Sequence, residues 1–200
     1  MNPLLVLLAA YLLGAIPFGY LLVKWKTGSD VRTSGSGNIG ATNVLRTSGR
    51  AAGVLTLLLD IGKGYLAVWI AAQLTHDPLW ISAAALAVMA GHAYPVFLKF
   101  KGGKAVASFV GAFLCLTPVP LVAVLVVFAG VVIGTGYISM GSIVAAATFP
   151  LAVWLILQPS IYIVAAAVLA GAFIIYKHSS NIRRLHDGSE HPFRFGGRKS

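Results

Sequence analysis

A cluster of glycines and hydrogen-bonding side chains lies between two apolar stretches of the sequence, at Ser34–Arg50 (SGSGNIGATNVLRTSGR). Its glycines follow the spacing Gly-x-Gly-x-x-Gly, which in a dinucleotide-binding fold lies between a strand and a helix. Here an apolar segment of membrane-spanning length precedes the glycines, so the dinucleotide interpretation fails. The physics of such loops still applies, because glycines let backbone amides approach an anion closely at a helix N-terminus.

The side chains of this first motif favour phosphate as the anion. Ser, Asn and Thr supply uncharged donors, and the guanidinium of Arg46 can hold a phosphate through two parallel hydrogen bonds. We therefore predict a phosphate-binding loop rather than an ordinary flexible loop. Its residues are Gly35, Ser36, Gly37, Asn38, Thr42, Asn43 and Arg46.

A second glycine cluster, Gly91–Ser108 (GHAYPVFLKFKGGKAVAS), precedes another apolar segment. It contains Gly102, Gly103 and Lys104. We predict that these three residues open the next helix and form a second anion site, with an ammonium group beside the helix N-terminus.

Three ionisable side chains fall inside apolar segments: Asp60, Lys63 and His92. Charges are costly in a membrane, so such residues are functional candidates by default. Asp60 and Lys63 are three residues apart and opposite in sign, the spacing of an intrahelical pair. A neutralised structural pair and a role at the site both remain open, and for His92 we favour a packing hydrogen bond.

The third motif, His178–Glu190 (HSSNIRRLHDGSE), follows the last apolar segment. If that helix continues past Lys177, His178 and Asn181 lie on one face and can position a reacting group. The structural alternative is C-terminal capping with cations favoured by the helix dipole. Glu190 is the one glutamate of the chain, and we expect it to pair with an arginine and hold the loop.

The composition, 58% hydrophobic and 10% charged, excludes a soluble globular domain and predicts an all-α polytopic membrane protein. Every Lys and Arg except Lys63 lies in one of three segments: Lys24–Arg50, Lys99–Lys104 and Lys177–Lys199. Because cytoplasmic loops collect Lys and Arg, all three segments should face the cytoplasm, a more economical reading of the positive charge than nucleic-acid binding. Because Cys115 is the single cysteine of the sequence, neither a disulfide framework nor a metal site made of thiolates is available.

The number of membrane crossings follows from placing those three segments on one side. Polar or proline-containing breaks divide the chain between them into two and then four helices. The breaks are Leu74–Trp80, Leu116–Pro120, Gly134–Ser142 and Leu157–Ser160. With a first span from Pro3 to Val23, we predict seven transmembrane helices in a single domain over residues 1–200. The N-terminus is then outside and the C-terminus cytoplasmic.

Two details of this topology bear on function. The helix from Ala105 to Leu116 is too short to cross fully, and we expect it to be re-entrant or to begin deep in the membrane. The loop that contains Ser139–Ser142 falls on the cytoplasmic side, which makes Ser142 a candidate phosphate ligand. Every polar cluster then gathers at one face of the bundle.

Taken in order, the three motifs resemble those of the bacterial acyl-phosphate:glycerol-3-phosphate acyltransferases, the PlsY family. They are GSGNIGATNVLR (Gly35–Arg46), GHAYPVFLKFKGGKAVA (Gly91–Ala107) and HSSNIRRLHDGSE (His178–Glu190). The likeness covers the whole chain. It implies a seven-helix enzyme of the bacterial inner membrane with its site facing the cytoplasm, and neither a metal, a cofactor nor a nucleic acid as partner.

The resemblance also implies the reaction. A fatty acyl group passes from acyl phosphate to the 1-hydroxyl of glycerol 3-phosphate, giving lysophosphatidic acid and inorganic phosphate, with membrane lipid around the acyl chain. The residues to which the resemblance assigns catalytic roles are Ser36, Arg46, Lys104, His178 and Asn181. The general base is either His178 or the phosphate of the substrate. The alternative function is transport of a phosphorylated solute, although transporters place their sites near the membrane midplane and often show internal repeats.

Overall fold

Within residues 2–193, which the computed structural model of the protein describes, all regular secondary structure is helical. The all-α class predicted from composition is thereby confirmed, whereas the end of the third basic segment, from residue 194, lies outside the described residues. Two 3₁₀ turns, Val31–Thr33 and Val96–Leu98, accompany the α-helices. The helices are α1 Pro3–Ala15, α2 Phe18–Thr27, α3 Ala41–Ser48, α4 Arg50–Leu74, α5 Pro78–Ala93, α6 Val106–Leu116, α7 Pro118–Thr135, α8 Ile138–Leu157, α9 Ile161–Lys177 and α10 Ser179–His186.

Five helical segments among the described residues are long and apolar enough to cross a membrane. They are Pro3–Thr27, Arg50–Leu74, Pro78–Leu98, Pro118–Thr135 and Ile138–Leu157. The bent pair formed by α9 and α10 raises the number to six, and α6 is a shorter apolar helix of 11 residues. The chain thus has the apolar helices of an integral membrane protein, while the count of seven crossings and the sides of the termini remain predictions.

The helix breaks predicted at Leu74–Trp80, Leu116–Pro120 and Leu157–Ser160 are confirmed, whereas the break at Gly134–Ser142 is shorter than predicted because α8 begins at Ile138. α4 ends at Leu74, and α5 begins at Pro78 after Asp77. The Asp77 carboxylate accepts a hydrogen bond from the backbone N–H of Leu79 at 2.9 Å. An aspartate cap followed by proline at the first helical position is a strong start signal, because proline has no N–H to leave unsatisfied.

Two helices differ from the prediction. The N-terminal span is divided into α1 and α2 at Pro17, since proline removes a backbone donor and its ring opposes the preceding turn. The last helix does not continue straight past Lys177, the condition under which His178 and Asn181 would share one face of it, because α9 ends there and α10 runs at 56° to it. At the bend, the Nδ1 atom of His178 lies 2.8 Å from the carbonyl oxygen of Ile174.

The chain groups into two compact units, divided after Pro118. In the first unit α4 crosses α6 at a distance that only glycine allows. A Cβ atom at Gly64 would overlap the carbonyl of Ser108, and one at Gly111 would overlap the carbonyl of Ile61. Such close backbone approach is the usual packing of membrane helices, where apolar side chains gain little by leaving lipid. It fixes the helix that carries Asp60 and Lys63.

The second unit contains α7 to α10. α8 packs against α9, where Gly171 lies against the carbonyl of Ala146 and Phe149 is fully buried. α10 packs against both of these helices. The third motif is therefore held on a short helix whose position depends on the α8–α9 pair.

Candidate active site

The first motif forms a tight loop between the 3₁₀ turn Val31–Thr33 and α3. Gly35 and Gly37 have φ angles of +61° and +69°, a left-handed conformation that residues with a Cβ atom rarely adopt. A Cβ atom at Gly35 would also overlap the side-chain oxygen of Asn43. The path of this loop therefore requires its glycines.

Asn43, which is only 2% exposed, is the hub of the loop. Its Oδ1 atom accepts a hydrogen bond from the backbone N–H of Ser36 at 2.8 Å. Its Nδ2 atom donates to the carbonyl oxygens of Val31, Ser34 and Asn38, at 3.2, 3.1 and 2.8 Å. The amide thus holds the loop backbone in shape. Its role as a direct phosphate ligand remains a prediction.

α3 begins directly after the loop, and no side chain among the described residues caps its N-terminus. Gly40 occupies the cap position, and its N–H donates to Oδ1 of Asn38 at 2.7 Å. The first N–H groups of a helix, here those of Ala41 and Thr42, have no acceptor within the helix. Together with the helix dipole they favour an anion at the place where the sequence predicts phosphate.

Ser36 and Arg46 are both exposed. Ser36 lies on the loop between its two left-handed glycines, and Arg46 lies in the last turn of α3. The structure leaves both side chains accessible to a dissolved substrate. Their catalytic roles remain predictions.

The second motif does not open its helix in the way the sequence suggested. α6 begins at Val106, two residues after Lys104, with Ala105 at the cap position and no side-chain cap among the described residues. Lys99, Phe100 and Ala105 all have left-handed φ angles, between 53° and 61°. Such conformations are strained for residues with a Cβ atom and tend to cluster at functional sites. The glycines thus lie in an irregular segment that leads into α6.

The two glycine-rich motifs meet at Gly103. The N–H of Gly103 donates to the carbonyl oxygen of His92 at 3.1 Å. A Cβ atom at Gly103 would overlap the Nε2 atom of the His92 ring, and it would lie 3.4 Å from Oδ1 of Asn38. The first-motif loop and the second motif are therefore neighbours within the first unit.

His92 also belongs to a buried ionic cluster that sequence reasoning recognised only in part. The Nζ atom of Lys63 lies 2.8 Å from Oδ1 of Asp60, as the three-residue spacing predicted. The Nδ1 atom of His92 lies 3.6 Å from the same oxygen. This second contact joins α4 to α5, and no signal local to either helix could have revealed it.

The third motif is organised by Glu190, for which the sequence predicted an arginine partner. Its Oε2 atom accepts a hydrogen bond from Nε of Arg184 at 2.7 Å. Its Oε1 atom accepts from Nδ2 of Asn181 at 2.8 Å and from Oγ of Ser139 at 2.9 Å. Burial by itself would raise the pKa of Glu190, but the hydrogen bonds from Asn181, Arg184 and Ser139 hold it below its usual value.

His178 and Ser142 complete the candidates in the second unit. His178 is buried, and its Nδ1 atom faces a carbonyl oxygen that can only accept. In the neutral ring the proton is therefore on Nδ1, and Nε2 carries the lone pair. The loop predicted for Ser139–Ser142 is wrong, because α8 already begins at Ile138. The Ser142 hydroxyl donates to the carbonyl of Ile138 at 2.9 Å.

The predicted site residues are thus divided between the two units. The first unit holds Gly35, Ser36, Gly37, Asn38, Thr42, Asn43, Arg46, Gly102, Gly103 and Lys104. The second unit holds Ser142, His178, Asn181 and Glu190. Hydrogen bonds join Ser36 and Asn38 to Asn43 in the first unit, and Asn181 to Glu190 in the second.

The chain is similar to known proteins over almost its whole length. A family profile described as glycerol-3-phosphate acyltransferase matches residues 4–188. The glycerol-3-phosphate acyltransferase of Desulforamulus reducens is 45% identical, over 98% of this chain and 96% of that protein. The protein of the same name from Trichlorobacter lovleyi is 49% identical, over 92% of this chain and 94% of that protein.

Two crystal structures of PlsY (YgiH), an integral membrane glycerol 3-phosphate acyltransferase, share the fold. The glycerol 3-phosphate form superposes with a TM-score of 0.92 at 39% identity, over 97% of this chain and 96% of that one. The lysophosphatidic acid form superposes with a TM-score of 0.88 at 37% identity, over the same shares of the two chains. The chain therefore belongs to the glycerol-3-phosphate acyltransferase family.

Proposed function

We propose that the protein transfers a fatty acyl group from acyl phosphate to the sn-1 hydroxyl of glycerol 3-phosphate. The products are lysophosphatidic acid and inorganic phosphate. The observation that carries the proposal is the meeting of two glycine-rich motifs at Gly103, each leading into a helix without a side-chain cap among the described residues. Both substrates carry a phosphate, so neighbouring anion-binding backbones suit this pair of molecules.

In this proposal the first-motif loop binds one phosphate at the N-terminus of α3. The N–H groups of the first turn supply donors, and the hydroxyl of Thr42 adds another. Arg46 holds the same phosphate through its guanidinium, whose planar fork matches phosphate oxygens. Ser36 donates to the oxygen of the acyl carbonyl, where negative charge develops in the transition state. Asn43 acts indirectly, by keeping the loop in shape.

The second motif is assigned to the phosphate that leaves. Gly102 and Gly103 let this segment pack closely against His92 and Pro95. Lys104 brings a positive charge directly before α6, whose first N–H groups have no acceptor within the helix. A cation at this position stabilises the charge that accumulates on the leaving phosphate. The half-buried environment of Lys104 strengthens that interaction relative to water.

The chemical step needs no covalent enzyme intermediate, because acyl phosphate is a mixed anhydride with a good leaving group. The 1-hydroxyl oxygen attacks the carbonyl carbon, and a new ester bond forms. The bond between that carbon and the phosphate oxygen breaks, and phosphate leaves with the electron pair. The hydroxyl proton passes to a general base.

Two bases are available, and we favour the phosphate of glycerol 3-phosphate over His178. The second pKa of a phosphate monoester is about 6, so the dianion is present at neutral pH. The Nδ1 atom of His178 faces the neutral carbonyl of Ile174. A carbonyl orients the ring but stabilises an imidazolium less than the carboxylate partner of a catalytic triad does. Asn181, whose amide is oriented by Glu190, is proposed as a further donor to reacting oxygen atoms.

The choice of base can be tested with the phosphonate analogue of glycerol 3-phosphate, whose second pKa is higher. If the substrate phosphate is the base, the acidic limb of the kcat profile moves to higher pH with the analogue. A limb that keeps its position with both substrates, together with a loss of about 10⁴-fold in His178→Ala at unchanged KM, assigns the base to His178.

We also propose the membrane arrangement inferred from charge. The chain crosses the bacterial cytoplasmic membrane seven times as a single domain, with α6 as the short crossing. The N-terminus is outside and the motifs face the cytoplasm. The apolar faces of the long helices support a lipid environment, because large side chains such as Val126 and Ile133 are 68% and 76% exposed.

The identity of the acyl donor decides whether the proposed function is correct. Purified protein is incubated with radiolabelled glycerol 3-phosphate and, in parallel reactions, with acyl phosphate, acyl-CoA or acylated acyl carrier protein as the donor. The proposal expects labelled lysophosphatidic acid with acyl phosphate alone and without added metal or ATP. Product formed only from acyl-CoA would disprove the donor assignment. Uptake of labelled solute into proteoliposomes without product would favour transport.

A further inference from the structure

Asp60, Lys63 and His92 form a buried triad in the first unit. Their exposed fractions are 2%, 3% and 3%. Oδ1 of Asp60 is the shared atom, 2.8 Å from Nζ of Lys63 and 3.6 Å from Nδ1 of His92. A buried ion pair stabilises a fold little compared with apolar residues of similar size, because both charges lose their hydration. A role in positioning neighbouring segments therefore explains the triad better than a contribution to the stability of the fold does.

At one end the triad holds the break between α1 and α2. The Nζ atom of Lys63 donates to the carbonyl oxygen of Ile16 at 2.8 Å and lies 5.6 Å from the centre of the Phe18 ring. α2 in turn packs on the first motif, since Gly19 lies against the carbonyl of Ile39. The position of Lys63 thus influences where the first-motif loop lies.

At the other end the triad holds the second motif. The backbone carbonyl of His92 accepts a hydrogen bond from the N–H of Gly103, and the His92 ring packs against the same glycine. Asn38, on the first-motif loop, lies beside the same glycine. Asp60 therefore links the two motifs: its contact with Lys63 leads to the first motif, and its contact with His92 leads to the second.

We propose that the buried triad is a positioning device that sets the separation of the two anion-binding motifs. Asp60 and Lys63 act through Ile16 and His92 and do not touch the substrates. This inference rests on the proposed function, because it takes the two motifs to hold the two phosphorylated substrates. If the separation changes while each motif stays intact, each substrate still binds but the hydroxyl no longer reaches the carbonyl.

The first test removes both charges and keeps side-chain volume, in the variant Asp60→Leu/Lys63→Met. Replacement of a buried ion pair by apolar residues is often neutral or stabilising, so the thermal unfolding midpoint in detergent should be kept or raised. We expect kcat to fall about 10²-fold, the scale of a misplacement of about 1 Å, with KM for each substrate within a few-fold of wild type. Leu57→Met, on the exposed side of α4, is the matched control. Retention of both the midpoint and kcat would overturn the proposal.

The second test does not depend on the stability of that variant. Gly103→Ala places a methyl group against the His92 ring and should reduce kcat strongly. His92→Asn removes the ring atom nearest to that methyl group and keeps an amide beside Asp60. If the ring positions the second motif, the double variant His92→Asn/Gly103→Ala recovers part of the lost kcat, at least several-fold over Gly103→Ala. A double variant no better than Gly103→Ala would also overturn the proposal.

Wild-type protein in the same assay separates this inference from the proposed function. If wild type forms no lysophosphatidic acid from acyl phosphate, the proposed function fails and the positioning role, which rests on it, fails with it. If wild type is active and either variant test gives the contrary result, only the positioning role fails.

Discussion

The side-chain oxygen of Asn43 accepts a hydrogen bond from the backbone N–H of Ser36 at 2.8 Å, across the glycine-rich loop. One buried amide thereby sets the position of the exposed serine to which the family resemblance assigns a catalytic role. The same amide contacts three loop carbonyls through its nitrogen. The conformation of the loop is consequently determined by the side chain of a helix residue and not by the loop alone.

Replacement of this amide should damage both stability and activity. Asn43→Ala removes hydrogen bonds worth about 1 kcal/mol each and leaves three loop carbonyls, of which that of Val31 belongs to a buried residue, without this donor. We therefore expect a loss of about 2–4 kcal/mol. With Ser36 no longer held, kcat/KM should fall at least about 10²-fold. Thermal unfolding in detergent and the acyl transfer assay measure the two effects.

Thr47→Ala is the matched control, since Thr47 lies on the same helix and is exposed. Among the contacts described, its hydroxyl bonds to the Asn43 carbonyl and lies 3.5 Å from the hydroxyl of the neighbouring Ser48. This substitution should change either quantity little. Wild-type kcat/KM in Asn43→Ala would show that the loop keeps its shape without the amide.

Gly35→Ala and Gly28→Ala separate backbone strain from side-chain overlap. Both glycines have left-handed φ angles, +61° and +72°. A Cβ atom at Gly28 meets nothing within 4 Å, whereas one at Gly35 overlaps the Asn43 amide. We expect Gly28→Ala to cost about 1–2 kcal/mol of stability with normal activity. Gly35→Ala should cost more stability and lower kcat/KM at least about 10-fold. Equal effects on activity would mean that strain alone matters.

The features that the sequence predicted are those with local causes. Proline and the polar turn around Asp77 act within a few residues, so the ends of α4 and the breaks between α6 and α9 were predicted at the right places. The first two motifs also stood out as candidate anion sites, because glycine with arginine or lysine near a helix start is typical of such sites. Neither inference needed knowledge of which helices touch.

The features that the sequence did not reveal depend on tertiary contacts or on single backbone angles. An asparagine in a glycine-rich loop fits a phosphate or a loop carbonyl equally well, so the role of Asn43 had to be read from the structure. The approach of His92 to Asp60 depends on how α4 and α5 pack. Ala105 has a left-handed φ angle, and α6 begins only after it, at Val106. An alanine in the sequence does not indicate such a conformation.

The carboxylate of Glu190 should make stability depend on pH. Hydrogen bonds from Asn181, Arg184 and Ser139 hold the pKa of Glu190 below its usual value against the opposing effect of burial. A group with a lowered pKa stabilises the fold fully above the usual value and loses that contribution as the pH falls through the lowered one. The difference in unfolding midpoint between wild type and Glu190→Gln should thus be largest near neutral pH and shrink below about pH 4.

Asp187→Asn, on the exposed end of the same motif, is the control for general effects of a lost carboxylate. Its midpoint should follow that of wild type at every pH. If the difference between wild type and Glu190→Gln stayed constant over the whole range, the carboxylate would not be the titrating group.

The side of the membrane on which the motifs lie can be read by cysteine labelling. In a Cys115→Ala background, single cysteines replace exposed residues of the three motif regions, Thr33, Lys101 and Ser180, and of the opposite turn, His76. The three basic segments predict cytoplasmic positions for the first three, because cytoplasmic loops collect Lys and Arg. A membrane-impermeant maleimide should therefore label only His76→Cys in intact cells and all four after permeabilisation. Labelling of any one motif cysteine in intact cells would place that motif outside, and a phosphorylated cytoplasmic substrate could not then meet all three.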